Sequence, residues 1–173
     1  AIPVSEMCLS QILLSLRGYF PSVRRYKEMK TSEAKTFPRS GVFGETVGLI
    51  GLGKIGTRVR DLLADYPVKV IAHDPFLTES RAKELDVESV SLEQVFERSL
   101  VISNHIPDLE STAGVLTATH FKSMREGATF INSGRGVQVI EQDLIRVFSA
   151  RPDLTALLDV TLPEPPGGDS LLW

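Results

Sequence analysis

Apolar positions along this chain fall into two alternating patterns. Short apolar runs occur at Val47 to Ile50, Val68 to Ala72, Leu100 to Ser103, Ala128 to Ile131 and Thr155 to Asp159, and each predicts a strand. A weaker run, Val87 to Val90, predicts a brief one. Between them lie segments with apolar residues at helical spacing. Ile55 to Tyr66 places Ile55, Val59, Leu62, Leu63 and Tyr66 on one face. Thr78 to Leu85, Leu92 to Arg98 and Glu141 to Ser149 also read as helices, and Thr119 to Met124 as a helical turn. Strands alternating with helices imply a parallel sheet covered on both faces, a doubly wound α/β architecture of three layers, α/β/α.

The first part of the chain follows another pattern. Cys8, Ile12, Leu16 and Tyr19 form one helical stripe, and Leu9, Leu13 and Phe20 a second. Two stripes on one helix imply wide burial, against other elements or another chain. Ser5 is the expected N-cap, and Pro21 the expected end. Residues 22 to 40, with Arg24, Arg25, Lys27, Lys30, Lys35 and Arg39, read as a solvated connection.

Composition narrows the function classes. The chain has 173 residues, the size of one domain, and a net charge of −3, so no general nucleic-acid footprint is expected. A single cysteine, Cys8, excludes an internal disulfide framework and fits a reducing, cytoplasmic setting. No apolar stretch approaches the length of a membrane span. The segment opens without a basic signal region, and Glu6 interrupts its apolar run. It starts inside a helix and stops at "GGDSLLW", as a piece of a longer polypeptide would.

Chemistry enters at "VGLIGLGKIGTRV", where Gly51, Gly53 and Gly56 are spaced G-x-G-x-x-G between a predicted strand and a predicted helix. Gly51 permits the tight turn, Gly53 admits a pyrophosphate to the backbone, and Gly56 lets helix and strand pack closely. The helix N-terminus offers unpaired N–H groups to phosphates. A glycine-rich turn that binds nothing, or one that binds S-adenosylmethionine, is the alternative. Asp74, in "VIAHDP", ends the next strand 18 residues after Gly56. There a carboxylate accepts hydrogen bonds from the adenosine ribose and repels a 2′-phosphate, favouring NAD over NADP. The alternative is a turn aspartate before Pro75. With these two features the architecture reads as Rossmann-type.

Two further strand ends carry charge. "FINSGRG" delivers Arg135 between Gly134 and Gly136, and the planar fork of arginine suits a carboxylate or an α-keto acid. Glycines on both sides would let the backbone lie close to a cofactor. "ALLDVTLPEPP" delivers Asp159 and, on a proline-stiffened loop, Glu164, one suited to the cofactor and one to acid–base work. The bland alternatives are a surface arginine and two solvated acids.

These residues together resemble the nucleotide-binding domain of the D-isomer-specific 2-hydroxyacid dehydrogenases, which include phosphoglycerate, glycerate and D-lactate dehydrogenases. "VSE", "GLGKIG", "HDP", "HIP", "INSGRG" and "DVTLPEP" stand in family order and at family spacing over nearly the whole chain. The resemblance implies that Arg135 binds the substrate carboxylate and carbonyl oxygen, and that Glu164 partners a catalytic histidine. It implies that Asp159 holds the nicotinamide carboxamide, and that Lys54 and Ile55 give backbone N–H groups to the pyrophosphate. Ser133 and Gly134 would border the nicotinamide ribose. His105, Ile106 and Pro107 would line the cofactor cleft, and Asp74 with Pro75 the adenosine end. The expected reaction moves a hydride between NAD(H) and a 2-hydroxy acid or 2-keto acid, and the first helix suits a homodimer contact or, as the alternative, a role purely within the domain. No metal and no membrane are implied.

Departures from the family pattern are specific. The family's catalytic histidine lies in a P-H motif after the glutamate loop, past Trp173, and neither His73, His105 nor His120 matches it. The family's split substrate domain would flank this segment at both ends, so the segment alone is expected to be inactive. After "HIP" the family continues "LT", whereas here Asp108 and Leu109 follow. Formate dehydrogenases carry glutamine in place of Glu164. The rival expectation is an NAD(H)-sensing corepressor resembling the C-terminal-binding proteins, which share this fold.

Overall fold

The computed structural model describes residues 1–29 and 41–172. Six strands form one parallel sheet: β1 (Thr46–Ile50), β2 (Lys69–His73), β3 (Glu88–Ser89), β4 (Val101–Asn104), β5 (Thr129–Asn132) and β6 (Thr155–Leu158). Their order is β3-β2-β1-β4-β5-β6. The chain steps outward from β1 to β3, crosses back, and steps outward from β4 to β6. Connections therefore leave β1 and β4 in opposite directions, which opens a crevice at the carboxyl ends of those two strands.

Seven helices accompany the strands among the described residues: α1 (Ile2–Leu16), α2 (Tyr19–Met29), α3 (Lys54–Leu63), α4 (Glu79–Glu84), α5 (Leu92–Arg98), α6 (Ala118–Ser123) and α7 (Glu141–Ala150). The period-two alternation of side chains sorts each strand between two cores. Val47 and Leu49 of β1, Val101 of β4 and Ile131 of β5 meet Cys8, Ile12 and Leu16 of α1 and Val59 and Leu63 of α3. Ile50, Ile102 and Phe130 face the other way, onto Phe96 of α5, Phe121 of α6 and Leu144 of α7. There Phe96, Phe121, Phe130 and Phe148 form an aromatic cluster. Gly48 faces this side too, and a Cβ there would overlap Val95 and Ser99, so a glycine is what lets α5 lie against β1. The expected three-layer Rossmann-type sheet is present, and its predicted elements recur with ends shifted by a few residues.

The amino-terminal expectations need correction. Ser5 is not the N-cap. The helix starts at Ile2 with Pro3 in its first turn, where the fixed φ of proline is preorganised. Ser5 is buried and its hydroxyl donates to the Ile2 carbonyl at 2.8 Å. Pro21 does not end a helix but sits in the first turn of α2, where its missing N–H is not needed. The break falls instead at Gly18, whose φ is +64°. Arg24, Arg25 and Lys27, read as part of a connection, lie on α2, whereas Lys30, Lys35 and Arg39 lie outside the described residues. Tyr19 is half exposed and does not continue the buried stripe of Cys8, Ile12 and Leu16.

Candidate functional site

The loop from β1 to α3 is the Gly51–Gly56 turn. Gly51 has φ +86°, and a Cβ on it would lie 3.0 Å from the His105 carbonyl. A Cβ on Gly56 would overlap the Gly51 carbonyl oxygen, so α3 starts hard against the strand end. Gly53 is the opposite case: nothing lies within 4 Å of where its Cβ would be. It is the N-cap of α3, and the first intrahelical bond runs from the Thr57 N–H to the Gly53 carbonyl at 2.9 Å. The amides of Lys54, Ile55 and Gly56 precede that bond, at the positive end of the helix dipole. This is the geometry of an anion site.

Asp74 stands beside this turn, past the end of β2. One carboxylate oxygen accepts from the Leu52 N–H at 2.7 Å and the other from the Phe76 N–H at 2.8 Å. The first bond ties the glycine turn to β2; the second closes the turn through exposed Pro75. A carboxylate accepts about four hydrogen bonds, so acceptor capacity remains for two ribose hydroxyls.

The ends of β4 and β5 are joined by amides. Asn104 and Asn132 are in register at the last position of each strand. The Asn104 side-chain NH₂ donates to the Asn132 amide oxygen at 2.9 Å and to the Gln138 amide oxygen at 2.8 Å. The Gln138 NH₂ in turn donates to the carbonyls of Ile106 at 2.8 Å and Pro107 at 2.9 Å. Arg135 N–H donates to the Gln138 oxygen at 3.1 Å, and Gly134 N–H to the Asn132 oxygen at 3.2 Å. Three buried amides thus fix the loops carrying His105–Pro107 and Ser133–Arg135 to each other.

His105 turns inward. It is 7 % exposed, lies beneath the glycine turn, and its Nδ1 is 2.9 Å from the Ser133 hydroxyl. Ser133 spends its only proton on the Asn104 carbonyl at 3.1 Å. The tautomer that keeps both bonds carries its proton on Nδ1, donating to Ser133. Nε2 is then a buried acceptor with no partner among the described residues. Desolvation pushes the His105 pKa down from 6.5 to about 4, so the ring is neutral near pH 7. The Cys8 thiol of α1 completes the group, donating to Ser133 at 3.4 Å. Burial raises its pKa above the usual thiol value and keeps it protonated.

Arg135 leaves β5 with an exposed guanidinium, Nη1 donating to the Gly134 carbonyl at 2.9 Å and Nε 3.7 Å from the Asp108 carboxylate. Its glycine neighbours have a different use from the one expected. A Cβ on Gly134 would strike the Gln138 and Asn104 amides, and one on Gly136 would overlap the Thr161 carbonyl. The small residues admit protein, namely the amide network on one side and the loop after β6 on the other. That loop carries Asp159 and Glu164, which line one open cavity of about 620 Å³ with Leu158, Thr161 and Pro165.

The structure brings the glycine turn, Asp74, the His105–Pro107 backbone, Ser133, Gly134, Arg135 and Asp159 to the carboxyl ends of the parallel strands. The open space at Gly53, the free helix terminus and the half-used Asp74 carboxylate fit a dinucleotide with its pyrophosphate on α3 and its ribose on Asp74. Sequence reading did not assign Asn104, Asn132, Gln138 or Cys8 to the site. A signal existed for two of them, since "VISN" and "TFIN" both close an apolar run with asparagine. Among the described residues no group of side chains could hold a metal ion, and no helix is long and apolar enough to cross a membrane.

Comparison with known proteins agrees with this geometry. The family model "D-isomer specific 2-hydroxyacid dehydrogenase, NAD binding domain" matches residues 9–173. A D-3-phosphoglycerate dehydrogenase of Archaeoglobus fulgidus is 32% identical over 171 residues, which is 99% of this chain and 32% of that protein. The NAD-complexed D-isomer specific 2-hydroxyacid dehydrogenase of Lactobacillus delbrueckii ssp. bulgaricus superposes with a TM-score of 0.79 at 26% identity, over 97% of this chain and 52% of that one. A Granulicella formate dehydrogenase gives a TM-score of 0.80 at 26% identity, over 96% of this chain and 45% of that one. The chain thus spans about a third of this curated relative and about half of these structures. These relatives give the rival corepressor reading no support.

Proposed function

This chain belongs to the D-isomer specific 2-hydroxyacid dehydrogenase family as an NAD-binding domain, and from that premise we propose that it serves a longer enzyme interconverting a D-2-hydroxy acid and its 2-keto acid. The two halves of the substrate domain would flank residues 1 to 173. Bound NAD supplies the hydride acceptor, or as NADH the donor. The chain's own residues do the rest. The amides of Lys54, Ile55 and Gly56 receive the pyrophosphate, and Asp74 the adenosine ribose. The backbones of His105, Ile106 and Pro107, with Ser133 and Gly134, wall the cleft between β4 and β5. Asp159 reaches the carboxamide end.

The observation that carries this reading is Arg135. Its backbone is fixed by Gln138 and Asn132, while its guanidinium stays exposed at the strand ends. A fork held this way can take the acid's carboxylate and polarise the carbonyl. Glu164, exposed on the loop after β6, would face a histidine from the flanking substrate domain and hold its imidazolium. None of the chain's own histidines suits that role. His105 is buried, His73 Nδ1 meets the Val90 carbonyl, and His120 Nδ1 meets Thr117. A homodimer through the half-buried Leu9 and Leu13 face of α1, and a cytoplasmic setting, complete the proposal.

The test is NADH oxidation by the full-length protein with glyoxylate, hydroxypyruvate and pyruvate, alongside Arg135→Ala. Turnover of at least one acid is expected, with KM raised and kcat lowered in the variant. Absence of turnover with every 2-keto acid offered would defeat the enzyme reading.

A further inference from the structure

We propose that Asp108 sets the charge selectivity of the substrate site. As a built-in counter-ion of Arg135, it favours keto acids with one negative charge over those with a second anionic group beside the reacting carbon. The inference rests on the assignment of Arg135 to the substrate carboxylate.

Its basis is how the two charges are held. The Asp108 carboxylate lies 3.7 Å from Arg135 Nε, and Arg135 Nη1 is engaged by the Gly134 carbonyl at 2.9 Å. The backbones that carry the two charges are tied to each other. Gln138 holds both backbones, its oxygen accepting from Arg135 N–H at 3.1 Å and its NH₂ donating to the Pro107 carbonyl at 2.9 Å. The Thr112 hydroxyl spans Asp108, lying 3.0 Å from the Pro107 carbonyl before it and accepting from the Leu109 N–H after it at 3.2 Å. The backbone is therefore held on both sides of Asp108, and its carboxylate lies beside the guanidinium.

The pair contributes little to folding, because its side chains are 59% and 61% exposed. Its effect falls on whatever enters the site. A substrate carboxylate displaces the Asp108 charge from the fork, but the clamped loop keeps that charge close by. One incoming negative charge is matched by Arg135. A second meets Asp108 with no cation left to offset it. Closure of an opposing domain would remove water and sharpen the difference.

Oxamate and oxalate test this, being nearly isosteric analogues with one and two negative charges. Their dissociation constants from the NADH complex of the full-length protein can be read from NADH fluorescence, for the natural protein and for Asp108→Asn. Asp108 is exposed, and circular dichroism with NADH titration confirms that the variant is folded. The natural protein should prefer oxamate. In Asp108→Asn both should bind more tightly, oxalate gaining about tenfold more than oxamate. The ratio of kcat/KM for 3-phosphohydroxypyruvate over hydroxypyruvate should rise in the same sense. An unchanged oxalate-to-oxamate ratio would overturn this proposal alone. Failure of the natural NADH complex to bind either analogue would overturn the reading of Arg135 and this proposal with it.

Discussion

At the scale of single residues, burial decides what a titratable group can do. Asp74 and His105 illustrate the two outcomes. Asp74 is half exposed and spends part of its acceptor capacity on Leu52 and Phe76, so its remaining charge faces the cleft. A 2′-phosphate about 4 Å away would cost on the order of 1 to 4 kcal/mol at surface-like dielectrics. NADH should therefore bind at least tenfold more tightly than NADPH in calorimetric titration, and equal affinities would remove Asp74 from the ribose. His105 is sealed from water, and its pKa is lowered from 6.5 to about 4. Between those values the unfolded chain binds a proton that the folded chain refuses. Stability from this residue is thus full above pH 6.5 and is lost as pH falls toward 4, by about 3 kcal/mol in all. Urea midpoints of the natural protein and His105→Asn, compared from pH 4 to 8, should converge or cross at the acid end. Parallel profiles would mean that His105 carries no such linkage.

At the scale of elements, much of the fold is legible in the sequence and part of the site is not. Apolar runs such as Val47 to Ile50 give away their strands because both faces of the sheet are covered. Helix α5 is readable to its ends because Ser91 and Gln94 form a reciprocal cap, at 3.2 and 3.1 Å. Helix α2 is not, because it is polar on most sides and Pro21 stands in it, a residue that breaks helix interiors but not first turns. The amide network is hidden for another reason. Asn104, Asn132 and Gln138 meet only once β4 and β5 lie in register, and register is not local information. The glycines beside Arg135 stand out in the sequence, but it points to the wrong neighbour for them, since a local pattern does not say whether protein or ligand fills the space a side chain would take. The glycine turn allows that distinction to be measured. Gly53→Val should leave far-ultraviolet circular dichroism and melting temperature nearly unchanged while NADH binding is lost, because open space surrounds its Cβ position. Gly56→Val should lower the melting temperature as well, because its Cβ overlaps the Gly51 carbonyl. Equal melting temperatures for the two variants would contradict this division of labour.

At the scale of the whole molecule, the domain holds its cofactor geometry without help but leaves its chemistry open. Loops after β1, β2, β4 and β5 are fixed by bonds internal to the chain: Asp74 to Leu52, Gln138 to Ile106 and Pro107, Asn132 to Gly134. Nothing in that set requires a second domain. Residues 1 to 173, expressed alone, should therefore bind NADH. The same segment should oxidise no NADH with glyoxylate, hydroxypyruvate or pyruvate. Arg135 and Glu164 both lie exposed, while His73, His105 and His120 are engaged by Val90, Ser133 and Thr117. A general acid–base contributes roughly 10² to 10⁴ in rate. An opposing domain would also orient the acid and exclude water, effects worth as much again or more. Adding a histidine-bearing peptide should consequently fail to restore turnover. Binding and turnover can be followed in one cuvette by NADH fluorescence and absorbance. Appreciable turnover by the isolated segment would mean that one of its own histidines carries the proton. His105 would then have to leave its bond to Ser133 and turn out into the cleft.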